Sequence, residues 1–256
     1  MIRAVFFDID GTLVSFKTHE MPSSAVTALK KLKENGIRCF IATGRGKDGL
    51  EVVSAIPFDG YITLNGQYDY TTDQIIYENF IPGKDIHILV EELKKHPFPC
   101  GFQMEEKKIF NYRDERVDEI NAITHNDNQP AGDVSDVENH KVYQAMAFIS
   151  REEEKELMKK LTGCTSARWH PSFTDISPLG GTKVIGMDLF ARYYGFTMDE
   201  TLAVGDGGND IQMLKHAGTS IAMGNGEDSV KAIADYVTDD VDHDGLLKGL
   251  DHYHLL

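Results

Sequence analysis

A short apolar stretch that ends on acidic residues constrains the fold of this chain more than any other feature. Residues Arg3–Phe7 are followed at once by Asp8, Asp10 and Gly11. A continuously apolar run of this length is typical of a strand buried on both faces of a parallel sheet. Because alternate residues of an extended chain point to the same side, Asp8 and Asp10 are predicted to leave the strand in the same general direction.

The next segment completes a strand–helix–strand unit. Pro22 and the two serines after it mark the start of a predicted helix, which ends at Asn35-Gly36, and a second apolar strand follows at Ile37–Ala42. Such a crossover joins parallel strands, so both strands end at the same edge of the sheet. Asp8 and Thr43 are therefore expected at one edge.

The same rhythm returns near the end of the chain, with a helix predicted over Lys183–Tyr194 and a strand over Thr201–Val204. Between the two halves the pattern changes to hairpin-like strands and helices, flanked by turn-forming Pro and Gly clusters. We therefore predict an α/β protein with a Rossmann-like parallel-sheet core, formed by residues 1–81 and 180–256. Residues 82–179 are predicted to form an inserted α+β domain.

Composition excludes several classes of function. The formal net charge of −15, from 26 basic and 41 acidic side chains, repels nucleic acids and anionic membranes. There is no signal-like apolar segment and no run that approaches a membrane span, and the three cysteines show no CxxC spacing. We expect a cytoplasmic protein with no nucleic-acid or membrane partner, and a monomer.

Two carboxylates in one small site repel each other unless a cation lies between them or one is protonated. Asp8 and Asp10 therefore indicate Mg²⁺ binding, acid–base chemistry or both. Taken alone, they are equally consistent with a simple turn at Asp10-Gly11 and a loop-capping Asp8.

A second acidic cluster favours the metal. Asp206 follows the strand Thr201–Val204 and so arrives at the same edge as Asp8, with Asp210 one turn later. The glycines between them are compatible with a dinucleotide loop, but Asp210 stands where that motif needs glycine and would repel pyrophosphate. Carboxylates from two strand ends suit Mg²⁺.

Thr43 and Lys183 add what phosphoryl transfer requires. The transferred group spreads negative charge over its oxygens, and catalysis consists largely of donors and cations fixed around them. Thr43 offers a hydroxyl and the two backbone amides after it, and Lys183 follows Gly180-Gly181-Thr182 at a predicted helix start. From composition alone, an ordinary solvated helix lysine is the commoner case for Lys183.

Four motifs occur along the core in a fixed order: Asp8-x-Asp10-Gly-Thr, Thr43-Gly-Arg, Lys183, and Gly205-Asp206-x-x-Asn209-Asp210. In this order they resemble the motifs of the haloacid dehalogenase (HAD) superfamily. Asn65-Gly66 also predicts a hairpin turn, because an Asn-Gly pair tolerates the positive φ angles that such a turn needs. The long insert and Asn65-Gly66 are similar to those of Cof-type sugar-phosphate phosphatases, which carry a large α/β cap. The resemblance implies a HAD-like core and a cap domain at 82–179. One difference is Val184, where many relatives carry glycine.

The resemblance also implies roles for the site residues. Asp8 is implied to be the nucleophile that forms an aspartyl-phosphate, and Asp10 the general acid and then base. Mg²⁺ would be held by the Asp8 carboxylate, the Asp10 backbone carbonyl and Asp206, with Asp210 nearby or acting through water. The implied substrate- and phosphate-binding residues are Thr43, Gly44, Arg45, Asn65, Lys183 and Asn209.

The implied activity is that of a Mg²⁺-dependent phosphatase acting on a small phosphorylated metabolite such as a sugar phosphate. A sugar phosphomutase and a non-catalytic module that binds a phosphate ligand remain as alternatives. Outside these motifs, Asp240–Asp251 nearly fits a calcium loop. We interpret that segment as a turn that leads into a carboxy-terminal helix.

Overall fold

The computed structural model describes residues 1–124 and 130–256. The strands within these residues are β1 (Ala4–Phe7), β2 (Arg38–Ala42), β3 (Gly60–Thr63), β4 (Tyr68–Tyr70), β5 (Ile75–Glu78), β6 (Cys100–Gln103), β7 (Lys108–Phe110), β8 (Gln144–Ala147), β9 (Cys164–His170), β10 (Phe173–Pro178), β11 (Thr201–Gly205), β12 (Thr219–Ala222) and β13 (Tyr236–Val237). The helices are α1 (Ser23–Glu34), α2 (Gly83–Lys95), α3 (Glu115–Thr124), α4 (Arg151–Met158), α5 (Lys183–Tyr194), α6 (Ile211–His216), α7 (Asp228–Lys231) and α8 (Gly245–His252).

The chain divides into two compact units, one formed by Met1–Glu78 with Gly181–Leu256 and the other by Asn79–Gly180. We call the first the core unit and the second the cap unit. No helix in the described part of the chain is long and apolar enough to cross a membrane.

The core unit contains an eight-stranded sheet in the order β13-β12-β11-β1-β2-β3-β4-β5. The strands from β13 to β3 run parallel to one another, whereas β4 is antiparallel to β3 and β5 is antiparallel to β4. The predicted parallel sheet is therefore confirmed, and β1 lies between β2 and β11. The carboxyl ends of these three strands meet at one edge, as parallel pairing requires.

Helices cover both faces of this sheet because its central strands are apolar on both sides. Val5 and Phe7 of β1 pack in a cluster with residues of α1 and α8, whereas Ala4 and Phe6 pack in a second cluster with residues of α5, α6 and α7. All four residues are fully buried. The continuous apolar run at the start of the chain thus reflects a strand buried on both faces.

The cap unit is built on a five-stranded antiparallel sheet in the order β7-β6-β8-β10-β9. Residues of α2 and α4 pack in one cluster with residues of this sheet, and residues of α3 pack in a smaller cluster around Phe110 and Phe173. A capping box at Ser150 and Glu153 fixes the start of α4. The predicted α+β insert therefore has the expected class of fold.

A carboxylic acid is buried in the core sheet away from its edge. Asp69 of β4 pairs with Ile62 of β3 and is fully buried, and among the described residues neither of its carboxylate oxygens has a hydrogen-bond partner. A Cβ atom at Gly186 of α5 would lie 2.8 Å from Asp69 Oδ2, so the acid packs directly against the helix. Burial raises the pKa of Asp69 well above its ordinary value, and the neighbouring Thr63 backbone opposes this by a smaller amount.

This pKa shift predicts a pH-dependent stability term. Asp69 loses its proton near pH 4 in the unfolded chain but only at higher pH in the folded protein. At Asp69 the folded state therefore binds more protons in that interval, and the contribution of Asp69 to stability falls as the pH rises above about 4. The Asp69→Asn substitution removes this pH-dependent contribution to stability, because an amide does not ionise.

We expect the melting temperature of the Asp69→Asn variant to exceed that of the wild type by a gap that widens from about pH 4 upward. Asp73→Asn, at an exposed position between β4 and β5, serves as the control and should show no such trend. A constant gap at every pH, measured by circular dichroism, would contradict this account of Asp69.

Candidate active site

Acidic and hydroxyl side chains leave three neighbouring strands at the carboxyl edge of the core sheet. Asp8 follows β1, Thr43 follows β2 and Asp206 follows β11, and all three are buried. The backbone N–H of Asp8 donates to the Val204 carbonyl at 3.0 Å, so the pairing of β1 with β11 continues to this residue. The sequence prediction that these residues share one edge is therefore confirmed.

A lysine from α5 lies between two of the buried acids. Lys183 Nζ is 2.8 Å from Asp8 Oδ1 and 2.7 Å from Asp210 Oδ1. The side chains of Lys183, Asp8 and Asp210 are 3%, 7% and 0% exposed. Lys183 is thus a buried, doubly paired cation and not a solvated helix residue.

Asp210 holds this arrangement in place. Its Oδ2 accepts hydrogen bonds from the backbone N–H groups of Asp206 and Gly207, each at 3.0 Å, while its Oδ1 accepts from Lys183. Asp210 therefore connects the loop after β11 to the start of α5. These contacts occupy both oxygens, which favours a supporting role over direct coordination of a cation.

Asp8, Asp206 and Asp210 each place one carboxylate oxygen within 4.8 Å of the other two. Burial, followed by the charge of Asp210, raises the pKa of Asp8 well above its ordinary value. The same two causes raise the pKa of Asp206 to about 7. Burial disfavours the charged form of Lys183, but the charges of Asp210 and Asp8 outweigh it and raise the lysine pKa.

Three carboxylates with one ammonium leave an excess of negative charge in a buried site. The raised pKa values of Asp8 and Asp206 show that ionising the acids is unfavourable there without a further positive charge. A hard divalent cation with oxygen ligands matches both the donor type and the missing charge. The residues present therefore fit a Mg²⁺ ion.

Asp10 has a different environment from the other acids. Its Oδ1 and Oδ2 accept from Arg45 Nη2 at 2.7 Å and Nε at 2.9 Å, which is a bidentate ion pair. Arg45 also donates through Nη1 to the Gly49 carbonyl at 2.9 Å. The side chain of Asp10 is not part of the buried acidic cluster, although the sequence predicted that it shares a site with Asp8.

The Thr43–Arg45 loop is held by the turn between β3 and β4. The backbone N–H groups of Leu64 and Asn65 donate to the carbonyls of Arg45 and Thr43, each at 2.9 Å. Thr43 Oγ1 in turn accepts the Arg45 backbone N–H at 3.1 Å. The Asn65-Gly66 hairpin signal is therefore confirmed, and the hairpin also fixes the phosphate-binding loop predicted at Thr43.

Asn209, Asn65 and Gly44 lie together beside this loop. Asn209 Nδ2 donates to Asn65 Oδ1 at 3.2 Å, and a Cβ atom at Gly44 would lie 3.3 Å from the Asn65 amide nitrogen. The predicted substrate-binding residues therefore fall into two groups. Asn209, Asn65 and Gly44 form an amide cluster beside the Thr43 loop, and Lys183 belongs to the buried acidic cluster.

The same turn packs on the start of α5. Gln67 Nε2 donates to the Gly181 carbonyl at 3.2 Å, and a Cβ atom at Gly66 would lie only 2.2 Å from the Thr182 carbonyl oxygen. Thr182 caps α5 by accepting the Ile185 N–H through its hydroxyl at 3.2 Å. The turn therefore determines where the helix begins, and with it the position of Lys183.

Sequence reasoning assigned no role to two residues that contact Asp206. Thr12 Oγ1 donates to Asp206 Oδ1 at 3.2 Å, and Asn225 Nδ2 lies 3.4 Å from Asp206 Oδ2. Thr12 belongs to the first motif, and Asn225 lies in a glycine-rich loop that follows β12 at the same edge. The strand-end argument that selected Asp206 could have indicated Asn225 as well.

Two acids of the Asp240–Asp251 segment make contacts that account for their carboxylates. Asp242 pairs with Lys17 at 2.7 Å, and Asp240 contacts His243 Nδ1 at 2.7 Å and caps a short turn through the Asp242 N–H. The segment continues directly into α8. The interpretation as a turn that leads into a carboxy-terminal helix is confirmed.

Known proteins share the sequence pattern of this chain along nearly its whole length. Residues 5–250 match the family of haloacid dehalogenase-like hydrolases. The chain belongs to this family. It is 31% identical to YkrA of Bacillus subtilis (strain 168) over 247 residues, which are 95% of each protein.

Two solved structures of HAD phosphatases share the fold. BT1666 from Bacteroides thetaiotaomicron has a TM-score of 0.90 and 38% identity, and the match covers 100% of this chain and 96% of that one. The HAD subclass IIB sugar phosphatase BT4131 has a TM-score of 0.87 and 39% identity, over 99% and 100% of the two chains. The predicted HAD-like α/β fold is confirmed. This member of the family is a phosphatase, that is, a phosphoric monoester hydrolase.

The contact of Gly66 with Thr182 predicts how the turn supports the site. Gly66 has a φ of +93°, and an alanine there would be strained and would also collide with the Thr182 backbone. We expect Gly66→Ala to displace the start of α5, lower the phosphatase activity and destabilise the fold by more than about 1 kcal/mol.

Gly36→Ala is the matched control, because Gly36 has a φ of +74° but nothing lies within 4 Å of the added Cβ atom. It should show the backbone strain alone, with unchanged activity. Equal effects of the two substitutions on activity and on urea denaturation would contradict a role of the turn in placing Lys183.

Proposed function

We propose that this phosphatase hydrolyses a small phosphorylated metabolite, a sugar phosphate, through an aspartyl-phosphate on Asp8 and with Mg²⁺ as its cofactor. The observation that carries the proposal is the buried cluster in which Lys183 pairs with Asp8 beside Asp206. This cluster combines a nucleophile, a fixed cation and an excess of carboxylate charge. The name of BT4131, a sugar phosphatase, supports the substrate class.

The cation would be held by the Asp8 and Asp206 carboxylates and the Asp10 backbone carbonyl. Asp210 would keep the site in shape through its contacts with Lys183 and the backbone of Asp206. When bound, Mg²⁺ would neutralise the excess negative charge and polarise the phosphoryl group.

Asp8 would act first. Lys183 holds Asp8 Oδ1, and we assign the attack on phosphorus to the other oxygen, Oδ2. A bond forms between Asp8 and phosphorus while the bond from phosphorus to the sugar oxygen breaks. Water then attacks the phosphorus of the aspartyl-phosphate, the bond to Asp8 breaks, and inorganic phosphate leaves with the Asp8 carboxylate restored.

Asp10 would move the protons in both steps. As general acid it gives a proton to the departing sugar oxygen, and as general base it takes one from the attacking water. The ion pair with Arg45 holds Asp10 as a carboxylate, so the pair must separate and Asp10 must take up a proton from water before it can act as the general acid. Arg45 would then be available to the substrate.

The oxygens of the phosphoryl group would be met by fixed donors from several elements. Lys183 supplies the buried positive charge, and Thr43 supplies its hydroxyl. The Arg45 backbone N–H already donates to Thr43, so we assign the Gly44 N–H to the phosphoryl group. The Asn209 amide, oriented by its hydrogen bond to Asn65, completes the set.

Release of inorganic phosphate from a panel of phosphorylated metabolites tests the proposal. We expect Mg²⁺-dependent release that is highest with a sugar phosphate, is lost in EDTA and returns when Mg²⁺ is added. Asp8→Asn should reduce release to background while leaving the fold intact, because it removes the nucleophilic oxygen and keeps the side-chain size.

Metal-dependent release that persists in Asp8→Asn would contradict the aspartyl-phosphate. Consumption of a sugar phosphate without inorganic phosphate would identify a phosphomutase, and binding without turnover would identify a ligand-binding module. Each of these outcomes is distinguished by following substrate and inorganic phosphate in the same reaction.

The role of Asp10 predicts a dependence on the leaving group. Asp10→Asn should lower kcat/KM for the best sugar phosphate by about 100-fold or more. The loss should be much smaller for p-nitrophenyl phosphate, because p-nitrophenolate departs without being protonated. A similar loss of kcat/KM for both substrates would contradict the assignment of Asp10 as the general acid.

A further inference from the structure

The loop between β12 and α7 lies against Asp206 at the carboxyl edge of the core sheet. We call residues 224–227 the 224–227 loop. The Glu227 backbone N–H donates to the Asp206 carbonyl at 2.9 Å, and a Cβ atom at Gly226 would lie 2.9 Å from the same carbonyl oxygen. The backbone of this loop is therefore in contact with Asp206.

The Asn225 side chain joins three segments at the carboxyl edge of the sheet. Its Nδ2 donates to the Gly11 carbonyl at 2.8 Å and lies 3.4 Å from Asp206 Oδ2, and its Oδ1 accepts the Val241 N–H at 2.9 Å. These partners follow β1, β11 and β13. Both acceptors face the amide nitrogen and the donor faces the amide oxygen, so the orientation of the amide follows from its partners.

Gly11 and Asp206 are in close contact at this point. A Cβ atom at Gly11, which has a φ of +80°, would lie 2.2 Å from Asp206 Oδ2. The turn after Asp10 and the Asp206 carboxylate therefore fit together only in one narrow arrangement. Asn225 contacts both sides of it.

The donors to Asp206 are neutral. Thr12 donates to Oδ1, and the Asn225 amide faces Oδ2. Neutral donors orient a carboxylate without cancelling its charge, in contrast to the ammonium of Lys183 beside Asp8. Asp206 is thus oriented in advance, and a bound cation would stabilise its ionised form.

We propose that Asn225 is a positioning residue that holds Asp206 and the Gly11 turn in the geometry that binds the cation. The proposal rests on the metal-dependent phosphatase activity proposed above. A purely structural alternative is that Asn225 only ties the 224–227 loop to Val241, in which case its loss affects stability and not the metal.

Isothermal titration of the metal-free protein with MgCl₂, without substrate, separates these roles. We expect Asn225→Ala to raise the Kd for Mg²⁺ by about 10-fold or more, as for other residues that orient metal ligands. Because Asn225 is exposed, the urea denaturation midpoint of the variant in EDTA should differ little from that of the wild type. In phosphatase assays the Mg²⁺ concentration for half-maximal rate should rise, with kcat at saturating Mg²⁺ much less affected.

Asn35→Ala is the matched control. Asn35 is also an exposed asparagine whose Nδ2 ties two segments, through the Leu255 carbonyl at 2.9 Å, and it lies at the end of α1. Its substitution should leave the Kd for Mg²⁺ unchanged. An unchanged Kd in Asn225→Ala, or an equal rise in Asn35→Ala, would overturn the positioning role.

The wild-type protein distinguishes the two levels of inference. If it binds Mg²⁺ and releases phosphate but Asn225→Ala binds Mg²⁺ equally well, only the role of Asn225 is overturned. If the wild type neither binds Mg²⁺ nor shows metal-dependent phosphate release, both proposals are overturned.

Discussion

The contact of the Lys183 ammonium with two buried carboxylates is the interaction on which the rest of the site depends. Burying Asp8 and Asp210 without a partner would be strongly unfavourable, and removing one member of such a buried pair typically costs about 3–5 kcal/mol. Lys183 can occupy this position only because α5 begins beside the sheet edge. That start is set in turn by Thr182 as the helix cap and by the Gly66 turn that packs on it.

The site uses charged and neutral donors for different purposes. Asp8, the proposed nucleophile, is paired with an ammonium, which favours its ionised form. Asp206 instead faces the Thr12 hydroxyl and the Asn225 amide, which orient its carboxylate without adding positive charge. Asp210 accepts from Lys183 with one oxygen and from backbone N–H groups with the other. Three similar acids are thus given three distinct functions by their hydrogen-bond partners.

The sequence predicted the backbone of the site better than its side-chain pairs. Parallel strands must end at one edge, so Asp8, Thr43 and Asp206 could be placed together from periodicity alone. The bidentate pair of Arg45 with Asp10 could not be predicted, because it depends on the path of the loop after β2 and on rotamers. Asn225 follows β12 at the same edge, so its place could be predicted in the same way, whereas its hydrogen bonds depend on the path of its loop.

The hairpin at Asn65-Gly66 was also predicted only in its local conformation and not in its tertiary contacts. Its turn was predicted from the tolerance of these residues for positive φ angles, and both adopt them, at 56° and 93°. The reason that Gly66 must lack a side chain is also steric, because the Thr182 backbone lies against it. A contact between residues more than a hundred positions apart is not visible in local sequence patterns.

The two ion pairs of the site differ in exposure to solvent, and therefore in how easily their members can separate. Lys183 and Asp8 are 3% and 7% exposed, whereas Arg45 and Asp10 are 27% and 39% exposed. Ion pairs open to solvent contribute about 0–1 kcal/mol, although a bidentate pair lies toward the upper end. Separating Asp10 from Arg45 therefore costs less free energy than separating Asp8 from Lys183. A nucleophile benefits from a fixed position, whereas a residue that must give a proton to one oxygen and take one from another benefits from freedom to move.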